Sequence, residues 1–129
     1  MESTKLDVPG MSGINADSLI VGLRISDPGL MAELASVFLQ QEPLQRRRLL
    51  DAVFTGNRRG LAAAAHSLRG SLFIFGADSA AEIAEELEHA AEEINLTYAY
   101  EKVEKLEFEL SKLVIYIKRL MAIDASGDN

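Results

Sequence analysis

The sequence predicts an all-α protein, an up-and-down antiparallel four-helix bundle with additional short N-terminal helices. Three observations carry that expectation. Apolar residues make up 48% of the 129 and aromatics only 6%, with Trp absent and Ala, Leu and Glu abundant, a composition that favours helices. Apolar residues recur at steps of three and four along most of the chain, and nowhere does the strict alternation of a half-buried strand appear. The connections between these periodic stretches are short, which suits helices packed against their sequence neighbours.

Taken in order, residues 1–13 hold one proline, two glycines and no periodicity, and read as a tail or linker. The domain is expected at 14–123. A short helix over Asp17 to Leu23 ends at Ser26-Asp27-Pro28, where a capping aspartate and a proline at the first helical position start the next helix. Leu30, Leu34, Val37 and Phe38 form its stripe to about Gln41. Pro43 restarts the chain, and Leu50, Val53 and Phe54 supply the inward face of a further helix, with Arg46, Arg47 and Arg48 a solvated turn. Gly56-Asn57 breaks the chain, and Asn57 caps a helix that Gly76 closes. Ser79-Ala80-Ala81-Glu82 fits a capping box, followed by a stripe of Ile83, Leu87, Ala90 and Ile94. Asn95 to Thr97 makes a turn. The last helix runs from about Tyr98 to about Ile123, with Val103, Leu106, Leu110, Leu113, Ile117 and Leu120 as a seam of nearly three heptads. Residues 124–129 are a polar tail.

Charge and composition remove whole classes of function. A net charge of −7 argues against nucleic-acid binding, which needs a basic face. There is no cysteine, hence no disulfide framework and no thiolate metal site. No apolar run approaches the ~18 residues of a membrane span, and no signal-peptide pattern opens the chain, so a soluble cytoplasmic protein without membrane insertion is expected.

One stretch stands apart, Leu61 to Gly76, reading LAAAAHSLRGSLFIFG. As a helix it puts Leu61, Ala65, Leu68, Leu72 and Phe75 on one buried stripe. His66 falls on the opposite side, with Arg59, Ala62, Ala63, Arg69, Gly70 and Phe73 within about 60° of it by helix rotation. Gly70 inside a helix costs roughly 0.8–1 kcal/mol relative to alanine, and no turn is needed there. Its smallness clears an approach for another molecule beside the imidazole. Arg69 rises on the same face and adds a fixed positive charge. A nucleophilic imidazole, a cation and an open approach suggest a site that carries an anion.

Ala65-His66-Ser67-Leu68-Arg69-Gly70-Ser71, with Gly76-Ala77 closing the helix and Leu87-Glu88 in the next one, resembles the histidine-containing phosphotransfer (HPt) domains of bacterial and eukaryotic phosphorelays. Asn15 to Phe38 is similar to that family's opening helices, and Leu49 to Leu61 to its second long helix and following turn. The resemblance covers roughly Ile14 to Met121 and departs at Arg69, where the family usually has lysine. It implies a phosphocarrier without ATP-dependent kinase activity of its own. His66 would accept a phosphoryl group from a receiver-domain aspartate and pass it to a response regulator. Receiver domains or a hybrid sensor kinase would be the partners, with Mg²⁺ supplied by the receiver and no metal held by this chain, a monomer.

The resemblance also assigns roles. An imidazole titrates near pH ~6.5, so much of it is a neutral nucleophile at neutrality; one ring nitrogen attacks phosphorus while the other keeps its proton on an acceptor. Glu88 matches the family's acceptor position; it is either that acceptor or a solvated acid in an acid-rich helix. Arg69 would screen the phosphoryl oxygens, with a free surface arginine or an ion pair to a nearby acid the competing account. The docking surface would be Arg59, Ala62, Ala63, Gly70 and Phe73, with core packing at a bundle edge the competing account of Phe73.

Glu86 and His89 form a single E-x-x-H pair, where a di-iron bundle needs two pairs and two more carboxylates. Glu82, Glu85, Glu86, Glu92 and Glu93 read more simply as a solvated face. Two alternatives remain. A histidine-kinase dimerisation helix pair usually has an acid after its histidine and a proline soon after, where this chain has Ser67 and no later proline. A non-catalytic helical adaptor leaves the exposed histidine and Gly70 without a reason.

Overall fold

Asp27 and Pro28 do what their order dictates. In the computed structural model, which describes residues 19–92 and 95–127, the Asp27 carboxylate accepts from the Leu30 N–H at 3.1 Å and Pro28 opens the helix. Five helices follow one another: α1 (Leu19–Ser26), α2 (Pro28–Thr55), α3 (Arg58–Ile74), α4 (Asp78–Glu92) and α5 (Leu96–Gly127). The all-α expectation holds, and no strand occurs among the described residues. α2, α3, α4 and α5 each pack against two of the others, in the order α2–α3–α4–α5 and back to α2, with α1 lying on α2. The proposed tail at 1–13 and the start of the first helix at Asp17 lie outside the described residues, as do Glu93 and Ile94.

The main correction concerns Pro43, which does not restart the chain but sits inside α2. Proline there forfeits the bond to the Leu39 carbonyl and costs about 3 kcal/mol. Met31, Phe38, Leu49 and Val53 are buried on the two sides of it, each contributing about 1.5–3 kcal/mol. Together these outweigh the proline. Met31, Ala35, Phe38, Glu42, half-buried Gln45, Leu49 and Ala52 keep steps of three and four straight through position 43, so a break would lift one half off the core. Pro43 itself is exposed, and water can reach the carbonyl it orphans.

That inward face differs from the expected stripe. Phe38 and Val53 are buried, Leu34 and Leu50 half-buried, but Leu30, Val37 and Phe54 are exposed. Phe54 lies two residues past buried Ala52, a rotation of about 200°, and rests against Tyr100 of α5 with ring centroids 5.6 Å apart. The stripe was misplaced because Ala35, Glu42 and Gln45 mark the inner face without being large and apolar. Nor is Arg46 a solvated residue like exposed Arg47 and Arg48. Its Nε donates to buried Glu42 at 2.7 Å and its Nη1 to Ser111 Oγ of α5 at 3.2 Å.

The expected stripes of α3 and α5 are buried in full: Leu61, Ala65, Leu68, Leu72 and Phe75, then Val103, Leu106, Leu110, Leu113, Ile117 and Leu120. In α4, Leu87 and Ala90 are buried and Ile83 is half-buried. Two helix starts differ. α4 begins at Asp78, so Ser79 lies inside it rather than capping it. Asn95 is not the first residue of a turn but the cap of α5, accepting from the Tyr98 N–H at 3.0 Å. α5 also continues past Ile123 to Gly127, since nothing in Asp124-Ala125-Ser126 breaks a helix before that glycine; residues 128 and 129 lie outside the described residues. Among the described residues no helix is long and apolar enough to cross a membrane.

Candidate functional site

α3 presents His66 because both of its ends are fixed. Asn57 accepts from the Gly60 N–H at 2.9 Å and starts the helix. At the other end Gly76 takes a left-handed φ of 68°, a conformation that costs a side chain-bearing residue, and the Ala77 N–H closes onto the Leu72 carbonyl at 3.0 Å. With Leu61, Ala65, Leu68 and Leu72 at 0–1% exposure, the rotation of α3 is fixed. His66 then faces outward, its side chain 71% exposed.

The turn at Gly76-Ala77 sets what stands beside it. His66 lies ten residues before Gly76 and Glu88 eleven after Ala77, so at 1.5 Å per residue both sit about 15 Å from the turn. Residues at equal height on two helices that fold back on one another become neighbours. Glu88 Oε1 is 3.3 Å from His66 Nδ1. Arg69 Nε donates to Glu88 Oε2 at 2.7 Å, and its Nη2 lies 3.5 Å from Glu88 Oε1 and 3.3 Å from His66 Nδ1. Glu88 is 22% and Arg69 38% exposed. All the ring's hydrogen-bond contacts among the described residues are at Nδ1, which leaves Nε2 to meet an incoming group.

The rest of the His66 face is open. Arg59, Ala63 and Gly70 are exposed and Ala62 is half-buried against the core. A Cβ built on Gly70 meets nothing within 4 Å, so its smallness serves no packing inside the bundle. Phe73 is 75% exposed, which removes core packing as its account. Ala63 and Ser67 also form one wall of a groove of about 510 Å³ between α2 and α3, with Gln45 and Arg48 opposite. His66 does not line it.

A family model described as Hpt domain matches residues 33–119. The chain belongs to the Hpt domain family. No curated protein and no solved structure matches it. Hpt domains are helical bundles that interact with receiver domains and kinases in phosphorelays, and membership supports a phosphotransfer role in two-component signalling. The match runs from the first turns of α2 to the last turns of α5 and contains every residue of the His66 cluster.

What sequence reasoning missed in this Hpt domain is the three-way contact. Arg69 is expected as a cation for phosphate, with an ion pair to a nearby acid the competing account; the structure shows that ion pair, to Glu88, and the sequence did not show that the imidazole shares it. The signal was present in the equal spacing of His66 and Glu88 from the turn; Arg69, three residues nearer the turn, starts about 4.5 Å below that height, a gap its long side chain spans. Elsewhere, Glu86 does not pair with His89 but binds Lys102 of α5 at 2.6 Å. Among the described residues no cluster of three or more His, Cys, Asp or Glu side chains is arranged to hold a metal ion.

Proposed function

We propose that this Hpt domain is a phosphohistidine carrier, in which His66 takes a phosphoryl group from a receiver aspartate and passes it to a response regulator. The observation that carries the reading is the engagement of Nδ1 on a ring that is otherwise exposed. With Nδ1–H donated to Glu88, the lone pair on Nε2 attacks phosphorus, the P–O bond to the receiver aspartate breaks, and that aspartate leaves as a carboxylate. The ring keeps its Nδ1 proton and becomes a phosphoimidazolium beside the Glu88 carboxylate. Arg69 screens the phosphoryl oxygens with charge-assisted hydrogen bonds, and the receiver supplies the acidic pocket and Mg²⁺. Transfer of this kind is mainly positioning and charge stabilisation.

Arg59, Ala62, Ala63, Gly70 and Phe73 form the surface on which the receiver docks. Small residues around His66 support this, since an in-line approach needs the space that Gly70 and Ala63 leave. The same reading expects a cytoplasmic monomer with its domain at 14–123, and a stand-alone carrier or a segment of a hybrid kinase would use the site alike.

The test is incubation with candidate phosphorylated receivers. Wild-type protein should acquire an acid-labile label that His66→Gln does not, because an amide has no nucleophilic nitrogen, while the variant melts within ~1 kcal/mol of wild type as expected for an exposed site. Label on the variant, or on His89, overturns the assignment. ATP and Mg²⁺ alone should leave the protein unlabelled; labelling under those conditions supports the kinase-dimerisation alternative.

A further inference from the structure

His66 Nδ1 has two neighbours that ask opposite things of it. Glu88 Oε1, at 3.3 Å, only accepts, and needs a proton on Nδ1. Arg69 Nη2, also at 3.3 Å, only donates, and needs a bare lone pair there. A neutral imidazole satisfies one at a time. We propose that Arg69 and Glu88 compete for His66 Nδ1, and that the guanidinium thereby sets how much of the resting ring is in the tautomer whose Nε2 can attack phosphorus. This deepens, and rests on, the reading of His66 as the phosphoryl acceptor.

The two contacts are equally long, and the ion pair between Arg69 and Glu88 tips the balance to the arginine at rest. Arg69 is anchored through Nε to Glu88 Oε2 at 2.7 Å, so its fork is held against the ring, and the carboxylate that would draw the Nδ1 proton is already neutralised by the guanidinium. In that arrangement Nε2 carries the proton and has no lone pair to give. A dianionic phosphoryl group approaching Nε2 offers Arg69 stronger, charge-assisted bonds than the imidazole does. As the Nη groups turn to the phosphoryl oxygens, Nδ1 is left with Glu88 alone. The ring, 71% exposed, exchanges its proton through water: Nε2–H is lost, Nδ1–H is gained, and the nucleophilic lone pair is uncovered as the donor arrives. Arg69 is in this respect a positioning residue as well as a contact for the phosphoryl group. The planar fork matters, because its Nε and Nη2 reach the carboxylate and the ring at once and a compact ammonium does not.

The tautomer is read directly by two-bond ¹H–¹⁵N correlation spectra of His66 in ¹⁵N-labelled protein, on the basic plateau of the ring's titration, with no phosphodonor present. In Arg69→Met the ratio of Nε2–H to Nδ1–H should fall about tenfold, the equivalent of one charge-assisted hydrogen bond. Glu88→Ala should move the ratio the other way, and Arg69→Lys should fall between wild type and Arg69→Met. A ratio unchanged or raised in Arg69→Met overturns the proposal, and so does a fall in Glu88→Ala; having the two variants keeps the question answerable if one of them fails to fold. Since the spectra need no transfer reaction, a chain that accepts no phosphoryl group but shows these shifts would sink the carrier reading and leave the competition standing, and the reverse result would do the opposite.

Discussion

Arg46 and Arg69 each donate from Nε to a glutamate oxygen at 2.7 Å, the first to Glu42 one turn back in α2 and the second from α3 across to Glu88 in α4. Each has a third polar neighbour, Ser111 Oγ at 3.2 Å for Arg46 and His66 Nδ1 at 3.3 Å for Arg69. Their surroundings differ. The Glu42 side chain is 7% and Arg46 25% exposed, whereas Glu88 is 22% and Arg69 38% exposed. The Glu42 carboxylate is the more deeply buried of the two and its arginine meets a serine hydroxyl, so the office of this pair is to keep a buried charge compensated. The Glu88 pair opens onto solvent through an imidazole, so the same ionic bond becomes available to chemistry. Ser111 and His66 are both exposed, so the chemistry of the third partner, a hydroxyl in one case and an imidazole in the other, together with the deeper burial of Glu42, separates the two pairs.

Breaking each pair should break the comparison differently. Arg46→Ala strands the Glu42 carboxylate in the core and should cost about 1–3 kcal/mol in urea melts, with phosphoryl acceptance per folded molecule unchanged. Arg69→Ala removes a partly exposed pair worth about 0–1 kcal/mol, yet should slow transfer clearly. Equal stability losses in the two variants would show that burial does not distinguish them.

Gly70 sharpens the functional side. Gly70→Ala should preserve or raise stability by up to ~1 kcal/mol, since its Cβ enters open space. Gly70→Leu should also fold, but lower receiver transfer roughly ten- to a hundredfold by displacing the in-line approach. A destabilised alanine variant with normal transfer in stopped-flow or quench assays would overturn the access argument. Phe73→Ser, at a side chain 75% exposed, should change stability by less than ~0.5 kcal/mol while weakening receiver binding by about 1 kcal/mol or more in titration calorimetry.

The smallest effect belongs to a third pair, Glu86–Lys102, which ties α4 to α5. The hydrogen bond to Glu86 raises the Lys102 ammonium above its ordinary 10.5, with partial burial opposing the rise. A raised folded value means that the pair's contribution is fully present below the unfolded lysine value and is lost as pH climbs through the folded one. Alkaline melts should therefore show a stability loss of at most ~1 kcal/mol that Glu86→Gln abolishes, with phosphoryl acceptance at neutral pH untouched.

Legibility in the sequence followed chemical contrast. The stripes of α3 and α5 were readable because most of their inner positions carry large apolar residues at steps of three and four. α2 was not, because Ala35, Glu42 and Gln45 carry its inner face past Pro43 while Leu30, Val37 and Phe54 sit outside. At the site, His66, Arg69 and Gly70 stood out as a cluster on one helix. The contact with Glu88 came only as a positional match to a family, because it depends on two helices meeting in register.

By itself the sequence determined the all-α class, the buried stripes of α3 and α5, the outward rotation of His66, the caps at Asp27 and Asn57, and the glycine on the His66 face. These follow from interactions within a few residues, where periodicity and hydrogen-bonding capacity are local properties. Only the tertiary structure decided that α2 runs unbroken through Pro43, that Arg46 belongs to a buried pair, and that Arg69 and Glu88 converge on one ring nitrogen. Each of these is settled by burial and by neighbours far away in the chain. The energy of core packing overrides a local helix breaker, and the position of a side chain relative to another helix has no counterpart in local pattern.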